Sequence, residues 1–196
     1  MKRRIRHPRS ITTVLTVLAV LLASPGSRAE GEKEGKSYVG LSATQFDFKR
    51  VGGSNSASTT GVTLSYGSYL TDYVKTEFRA GMGLDEEEAK PGLDIGMDYF
   101  ASWYMGAQYP ATDYLSVYAL FGFTHMKGKV SKDDPDAHQN IPEDLTDSSF
   151  SVSYALGTEI KVTGDLWGVL EFGRIHRDTE TAIRTMQLSA GLKYEF

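Results

Sequence analysis

Three charges alternate in sign along YVKTEFRAGMGL (73–84): Lys75, Glu77 and Arg79. Residues two apart share one face of a β-strand. That face continues through Gly81 and Gly83, while Val74, Thr76, Phe78, Ala80, Met82 and Leu84 take the other. Cations and carboxylates interleaved on one face suit two tasks. They can line a selective pore, or they can neutralise one another where water is scarce. Asp98, Glu159, Glu171 and Lys193 are the further candidates for such a network. Enzyme chemistry has fewer residues to work with. Past the first thirty residues the histidines are His125, His138 and His176. A metal or acyl-transfer centre would need them joined to a carboxylate or a serine. His125 and His176 fall near corresponding ends of their segments, where they could approach one another. There is no cysteine, so thiolate metal sites and disulfides are excluded. The acidic stretches 85–92 and 132–147 lack the spacing of a calcium loop. No catalytic, cofactor or metal residues are expected, and no cofactor.

The segments that carry these charges read as strands. In LDIGMDYFASWYMGAQY (93–109) every odd position is apolar, and only Phe100 and Tyr104 are apolar among the even ones. Period two sustained for that length argues a strand well beyond the ordinary five or six residues. The rhythm recurs over 38–48, 61–70, 73–84, 114–127, 148–162, 166–176 and 183–196. Eight strands of this length, tilted by about 45°, match what crosses a bilayer. The connections alternate too. TD, PATD and TGD are short, whereas those near 51–60, 85–92, 128–147 and 177–182 are longer. Such asymmetry predicts an all-β, eight-stranded antiparallel up-and-down transmembrane β-barrel over 38–196, with the short turns in the periplasm.

The N-terminal stretch points the same way. MKRRIRHPR is basic, ITTVLTVLAVLLA is a run of about 13 mostly apolar residues, and SPGSRA precedes Glu30. This predicts a secretory signal peptide over 1–29, cut between Ala29 and Glu30, with 30–37 a short periplasmic segment. A membrane-spanning helix would need roughly 20 apolar residues. Removing 1–29 takes away six of 21 basic residues and none of the 25 acidic ones, leaving 15 against 25, a net of −10. An exported chain that acidic is a poor nucleic-acid binder.

A soluble lipid-carrying barrel would also alternate, but with its apolar face inward. Strand length and loop asymmetry favour the membrane. So do the aromatics Tyr69, Tyr73, Tyr109, Tyr114, Trp167, Tyr194 and Phe196, which cluster at the short-turn side as an interfacial girdle would.

The ending SAGLKYEF, with Ser189, Gly191, Tyr194 and Phe196, resembles the C-terminal signature of outer-membrane proteins. With YVGLSATQF, YVKTEFRAGMG and SVYALFGFTHMKG, the region 38–196 resembles the small "porin family" barrels of the OmpA/OmpX-like kind. The resemblance implies that Ser189, Gly191, Tyr194 and Phe196 form the signal read by the barrel-assembly machinery. It also implies an outer-membrane location among lipid and lipopolysaccharide. In the lipid A deacylases of this kind a serine stands two residues after the histidine; here Lys127 follows His125.

A hairpin turning at residues 88–89 would place Arg79 opposite Asp98 in the lumen, and Phe78 opposite Tyr99 on the lipid side. Glu77, Lys75, Glu159 and Glu171 would lie nearby, with Lys193. The expected function is a monomeric, non-enzymatic envelope protein, structural or surface-interacting, with a lumen filled by paired polar side chains. The alternatives are a narrow ion or small-solute channel and, less favoured, a lipid A-modifying enzyme.

Overall fold

The structure, a computed structural model, describes residues 33–50, 56–90, 93–132, 148–177 and 183–196. The N-terminal segment 1–29, the Ala29–Glu30 junction, His138 and most of the acidic stretch 132–147 lie outside the described residues. Nine strand segments are present among them: β1 (Ser37–Arg50), β2 (Ser56–Thr71), β3 (Val74–Gly83), β4 (Glu86–Lys90), β5 (Leu93–Thr112), β6 (Leu115–Lys132), β7 (Ser148–Thr163), β8 (Leu166–Arg177) and β9 (Ile183–Glu195). Each pairs antiparallel with its neighbours, and β1 pairs with β9. β3 and β4 both pair with β5, as two pieces of one strand interrupted at Leu84 and Asp85. The result is a closed, eight-stranded, all-antiparallel barrel.

Closure leaves the wall with two faces. On β1, Tyr38, Gly40, Thr44, Phe46 and Phe48 are buried inward, while Val39 and Leu41 are exposed outward. On β9, Thr185, Gln187, Ser189, Lys193 and Glu195 are buried, and Leu188, Leu192 and Tyr194 are exposed. Three tight turns join the strands at one end. In two of them a threonine hydroxyl accepts backbone N–H groups: Thr71 from Tyr73 and Val74, and Thr112 from Tyr114. The third uses Gly164, whose φ of 50° suits a residue without a Cβ.

Two features depart from a regular alternation. The hairpin between β4 and β5 does not turn at 88–89. Glu86 pairs with Gly96 and Lys90 with Leu93, so the chain reverses between Lys90 and Leu93. Most of the acidic stretch 85–92 is therefore strand, not loop. The second departure is a register shift between Met97 and Tyr99 on β5. The extra residue, Asp98, lets Met97 turn inward while Asp98 and Tyr99 both face out. A further shift on β8, between Arg174 and His176, similarly buries Ile175 and His176 side by side.

The absence of native cysteine makes this testable by single-cysteine labelling of refolded protein. Asp98→Cys and Tyr99→Cys are expected to react with a maleimide reagent, and Met97→Cys to be protected. An unshifted strand would give Met97→Cys and Tyr99→Cys the same accessibility.

Candidate functional site

Among the described residues, charged side chains of both signs converge on the inward face of the barrel. Lys75, Glu77 and Arg79 of β3 point into the lumen, as do Glu159 of β7, Glu171 of β8 and Lys193 and Glu195 of β9; all are buried. Arg79 is the hub. Its Nε bonds Glu77, and its two terminal nitrogens fork onto the Glu171 carboxylate, one of them at 2.7 Å. That planar fork matches a carboxylate's two oxygens, a geometry lysine cannot supply. Tyr118 donates to Glu171 Oε2 at 2.7 Å, Gln187 to Oε1 at 2.6 Å, and Tyr38 donates to Glu77 at 2.6 Å.

A second group lies closer to the short turns. Glu159 accepts from Lys75 at 2.9 Å and also from Lys193. Lys193 lies 2.9 Å from Glu195, which Tyr69 reaches at 2.7 Å. Lys33, ahead of the first strand, folds back across the short-turn mouth. Its Nζ bonds Glu195 at 2.7 Å and stands 4.2 Å from the centre of the Trp167 ring. Its backbone N–H and that of Glu34 are held by Asp72 Oδ1. Four cations (Lys33, Lys75, Arg79, Lys193) thus meet four carboxylates (Glu77, Glu159, Glu171, Glu195), and the network is formally neutral. Glycines make it possible. A Cβ on Gly67 would meet the Tyr38 ring at 2.2 Å and one on Gly157 the Tyr118 ring at 2.3 Å. Each tyrosine therefore lies flat over the strand opposite and reaches its carboxylate.

Above the charges the lumen changes character. Hydroxyls link Thr44 to Thr63 and to Ser189, each at 2.9 Å, and Ser102 to Thr124 at 2.7 Å. Beyond them Phe46, Phe48, Met97, Phe100, Met126 and Ile175 form an apolar layer toward the long connections. The cavity left among the charged groups is about 30 Å³, room for one or two water molecules.

Not every residue goes where its alternation pointed. Arg79 faces Ser102, not Asp98, and Phe78 faces Trp103, not Tyr99: the chain reverses later than 88–89, and with the irregularities on the way the partner on β5 moves by four residues. Asp98 is on the outer wall beside Lys127, 3.2 Å away. Tyr69 and Trp167, two of the expected interfacial aromatics, are 1% and 5% exposed and belong to the lumen. Both are in phase with inward neighbours, Gly67 and Glu171. Tyr73, Tyr109, Tyr114, Tyr194 and Phe196 do face outward. His125 and His176 do not approach: His125 stacks between Tyr99 and Phe150 on the outer wall, whereas His176 is 2% exposed and its Nε2 lies 2.7 Å from Ser149 Oγ inside. Lys33, Tyr38, Tyr69, Tyr118 and Gln187 were absent from the candidate network. The tyrosines carried a signal, being in phase with inward residues of their own strands; Lys33 carried none.

The outer membrane protein β-barrel domain family matches the chain over residues 16–196. No curated protein matches. Solved structures do. Ail, the attachment invasion locus protein of Yersinia pestis, aligns at 18% identity over 83% of this chain and 99% of its own, with a TM-score of 0.61. OprG from Pseudomonas aeruginosa aligns at 13% over 85% and 98%, with 0.58. Neisserial surface protein A aligns at 18% over 83% and 100%, with 0.52. Ail has also been solved with the heparin analogue sucrose octasulfate. At these identities the likeness is one of fold.

Breaking a buried ion pair from one side costs about 3–5 kcal/mol. Arg79→Met should lower the urea midpoint accordingly, and Arg79→Met with Glu171→Gln should recover part of the loss. Asp98→Asn, which breaks only an exposed pair, should change stability by less than about 1 kcal/mol.

Proposed function

The chain belongs to the outer membrane protein β-barrel domain family, and on that premise we propose that it is a sealed, non-enzymatic barrel of the outer membrane with an envelope-structural or surface-interaction role. One observation carries the reading: among the described residues the lumen holds a neutral charge network at the short-turn half and an apolar layer at the other. An ion entering from the short-turn side would have to displace Lys33 and separate the pairs on Glu159 and Glu171. It would then face Phe46 and Phe100, packed edge to face with ring centres 5.7 Å apart, where nothing replaces its hydration. The two barriers stand in series. A leak through one is stopped by the other.

A non-enzymatic role accords with the placement of the histidines. Ser149 and His176 have the separation of a nucleophile and its base, but His176 is buried inside the wall, away from any lipid lying against the outer face. His125 is on that face with aromatic neighbours and Lys127, and no serine stands two residues on. Lipid A of unchanged mass on overexpression is the expected result.

The remaining assignments belong to the same proposal. Residues 1–29 direct export and are removed at Ala29–Glu30, leaving 30–37 in the periplasm. Ser189, Gly191, Tyr194 and Phe196 are read by the assembly machinery, and the barrel is monomeric among outer-membrane lipid and lipopolysaccharide.

The deciding measurement is conductance of the refolded protein in a planar bilayer. A flat record is expected. Steady single-channel steps would overturn the sealed barrel in favour of a narrow pore.

A further inference from the structure

A row of cations crosses the outer wall near the long-connection end. Lys49 of β1 is the register partner of Arg184 of β9, and Arg184 of Arg177 of β8. All three side chains are on the outward face and exposed. Adjacent strands are about 4.8 Å apart, so the three lie within about 10 Å of wall. Arg174 is on the same face, three residues along β8. Its guanidinium is 4.9 Å from the Tyr154 ring, and its Nε is buried with no hydrogen-bond partner.

Like charges directly opposite on neighbouring strands destabilise a sheet. Inside the barrel each cation of the network has a carboxylate. Here, among the described residues, none of the four cations is joined to a carboxylate in an ion pair. Asp47, the outward carboxylate of β1, is engaged by Gln45 at 3.1 Å and by Ser58. Among the described residues the chain therefore supplies no ion-pair partner to this row, and an anion bound from outside would relieve it.

The surface beneath the row says what carries it. On β9 the outward stripe below Arg184 runs through Leu188, Leu192 and Tyr194; on β8 Leu170 and Phe172 lie below Arg174, all exposed. Cations capping an apolar stripe on one face fit an amphiphile with an anionic head and hydrocarbon tail. Guanidinium forks favour phosphate as that head. We propose that Lys49, Arg174, Arg177 and Arg184 form a binding site for the phosphate of a phosphorylated lipid in the outer leaflet. The assignment to that leaflet rests on reading the chain as an outer-membrane barrel with its short turns in the periplasm.

Free phosphate offers the head without the tail, so it should compete poorly. Each cation near an anionic head is worth about fivefold in affinity, so removing three should cost on the order of a hundredfold. The test titrates labelled bisphosphorylated lipid A into the refolded protein in phosphatidylcholine nanodiscs, with dephosphorylated lipid A and millimolar inorganic phosphate as comparisons. The expected result is preference for the phosphorylated lipid, lost in Lys49→Ala/Arg177→Ala/Arg184→Ala. Arg184→Gln alone should lose about fivefold, and Lys36→Ala/Lys161→Ala at the other end should lose nothing. Equal binding of dephosphorylated lipid A, undiminished binding by the triple variant, or ready displacement by inorganic phosphate would each overturn the site. The heat-dependent gel mobility of each protein reports barrel insertion separately. A wild type that fails to insert defeats the outer-membrane reading and the site together, whereas inserted protein without the preference defeats the site alone.

Discussion

In hydrocarbon a backbone N–H or C=O left without a partner costs several kcal/mol, and the rest of this structure depends on that constraint. A sheet that crosses the membrane must close, and here β1 pairs with β9 while β3 and β4 both pair with β5. Closure fixes the alternation of side chains, because each residue of a strand now faces either lipid or lumen. With eight strands the lumen is just wide enough for side chains to fill. Any charge placed on the inward face must therefore find its partner on another strand, and the partners found are distant in sequence. Arg79 meets Glu171 and Lys75 meets Glu159, pairs separated by 92 and 84 residues.

Such pairs are a doubtful source of net stability, since desolvating both partners offsets much of what their attraction returns. Their stronger effect is on register. A slip of one residue between strands would carry Lys75, Glu77 and Arg79 to the lipid face, leaving Glu159 and Glu171 alone inside. The network penalises that error far more than a lumen of serines and threonines would. The apolar layer of Phe46, Phe100 and Ile175 penalises it less, because those side chains are also at home against lipid. Charge in one half and packing in the other thus divide the labour of specifying and filling the barrel.

The faces were legible in the sequence because alternation is a local property. Lys75, Glu77 and Arg79 declare their side within seven residues, as do Leu188, Leu192 and Tyr194. The Arg79–Asp98 pairing failed because it needed two non-local facts: where the hairpin reverses, and whether both strands stay regular up to it. Pro91–Gly92 carries turn chemistry, but the acidic run Glu86–Glu88 resembles a solvated loop in sequence. The extra residue at Asp98 has no sequence mark, since aspartate looks equally at home as a lumen charge. Tyr69 and Trp167 differ from the expected girdle for another reason: both lie near a turn, but phase with the inward residues of their strands governs which way a ring points. Lys33 lies outside any alternating segment, so only the closed mouth of the barrel reveals what it does.

The same electrostatic rule links the two faces of the wall. Within the lumen Lys33, Lys75, Arg79 and Lys193 are answered by four carboxylates of the chain itself, and that half is self-contained. On the outer wall Lys49, Arg174, Arg177 and Arg184 gather without an ion pair among the described residues, in a chain where acids outnumber bases. Scattering them among the acidic residues would relieve the repulsion without altering the fold, since outward positions near the end of the wall tolerate either sign. Their concentration on three adjoining strands, where the exposed leucines of β9 and β8 give out, fits the phosphorylated lipid proposed above. The interior balances its charge in the folded chain; the exterior balances it against the lipid that surrounds it.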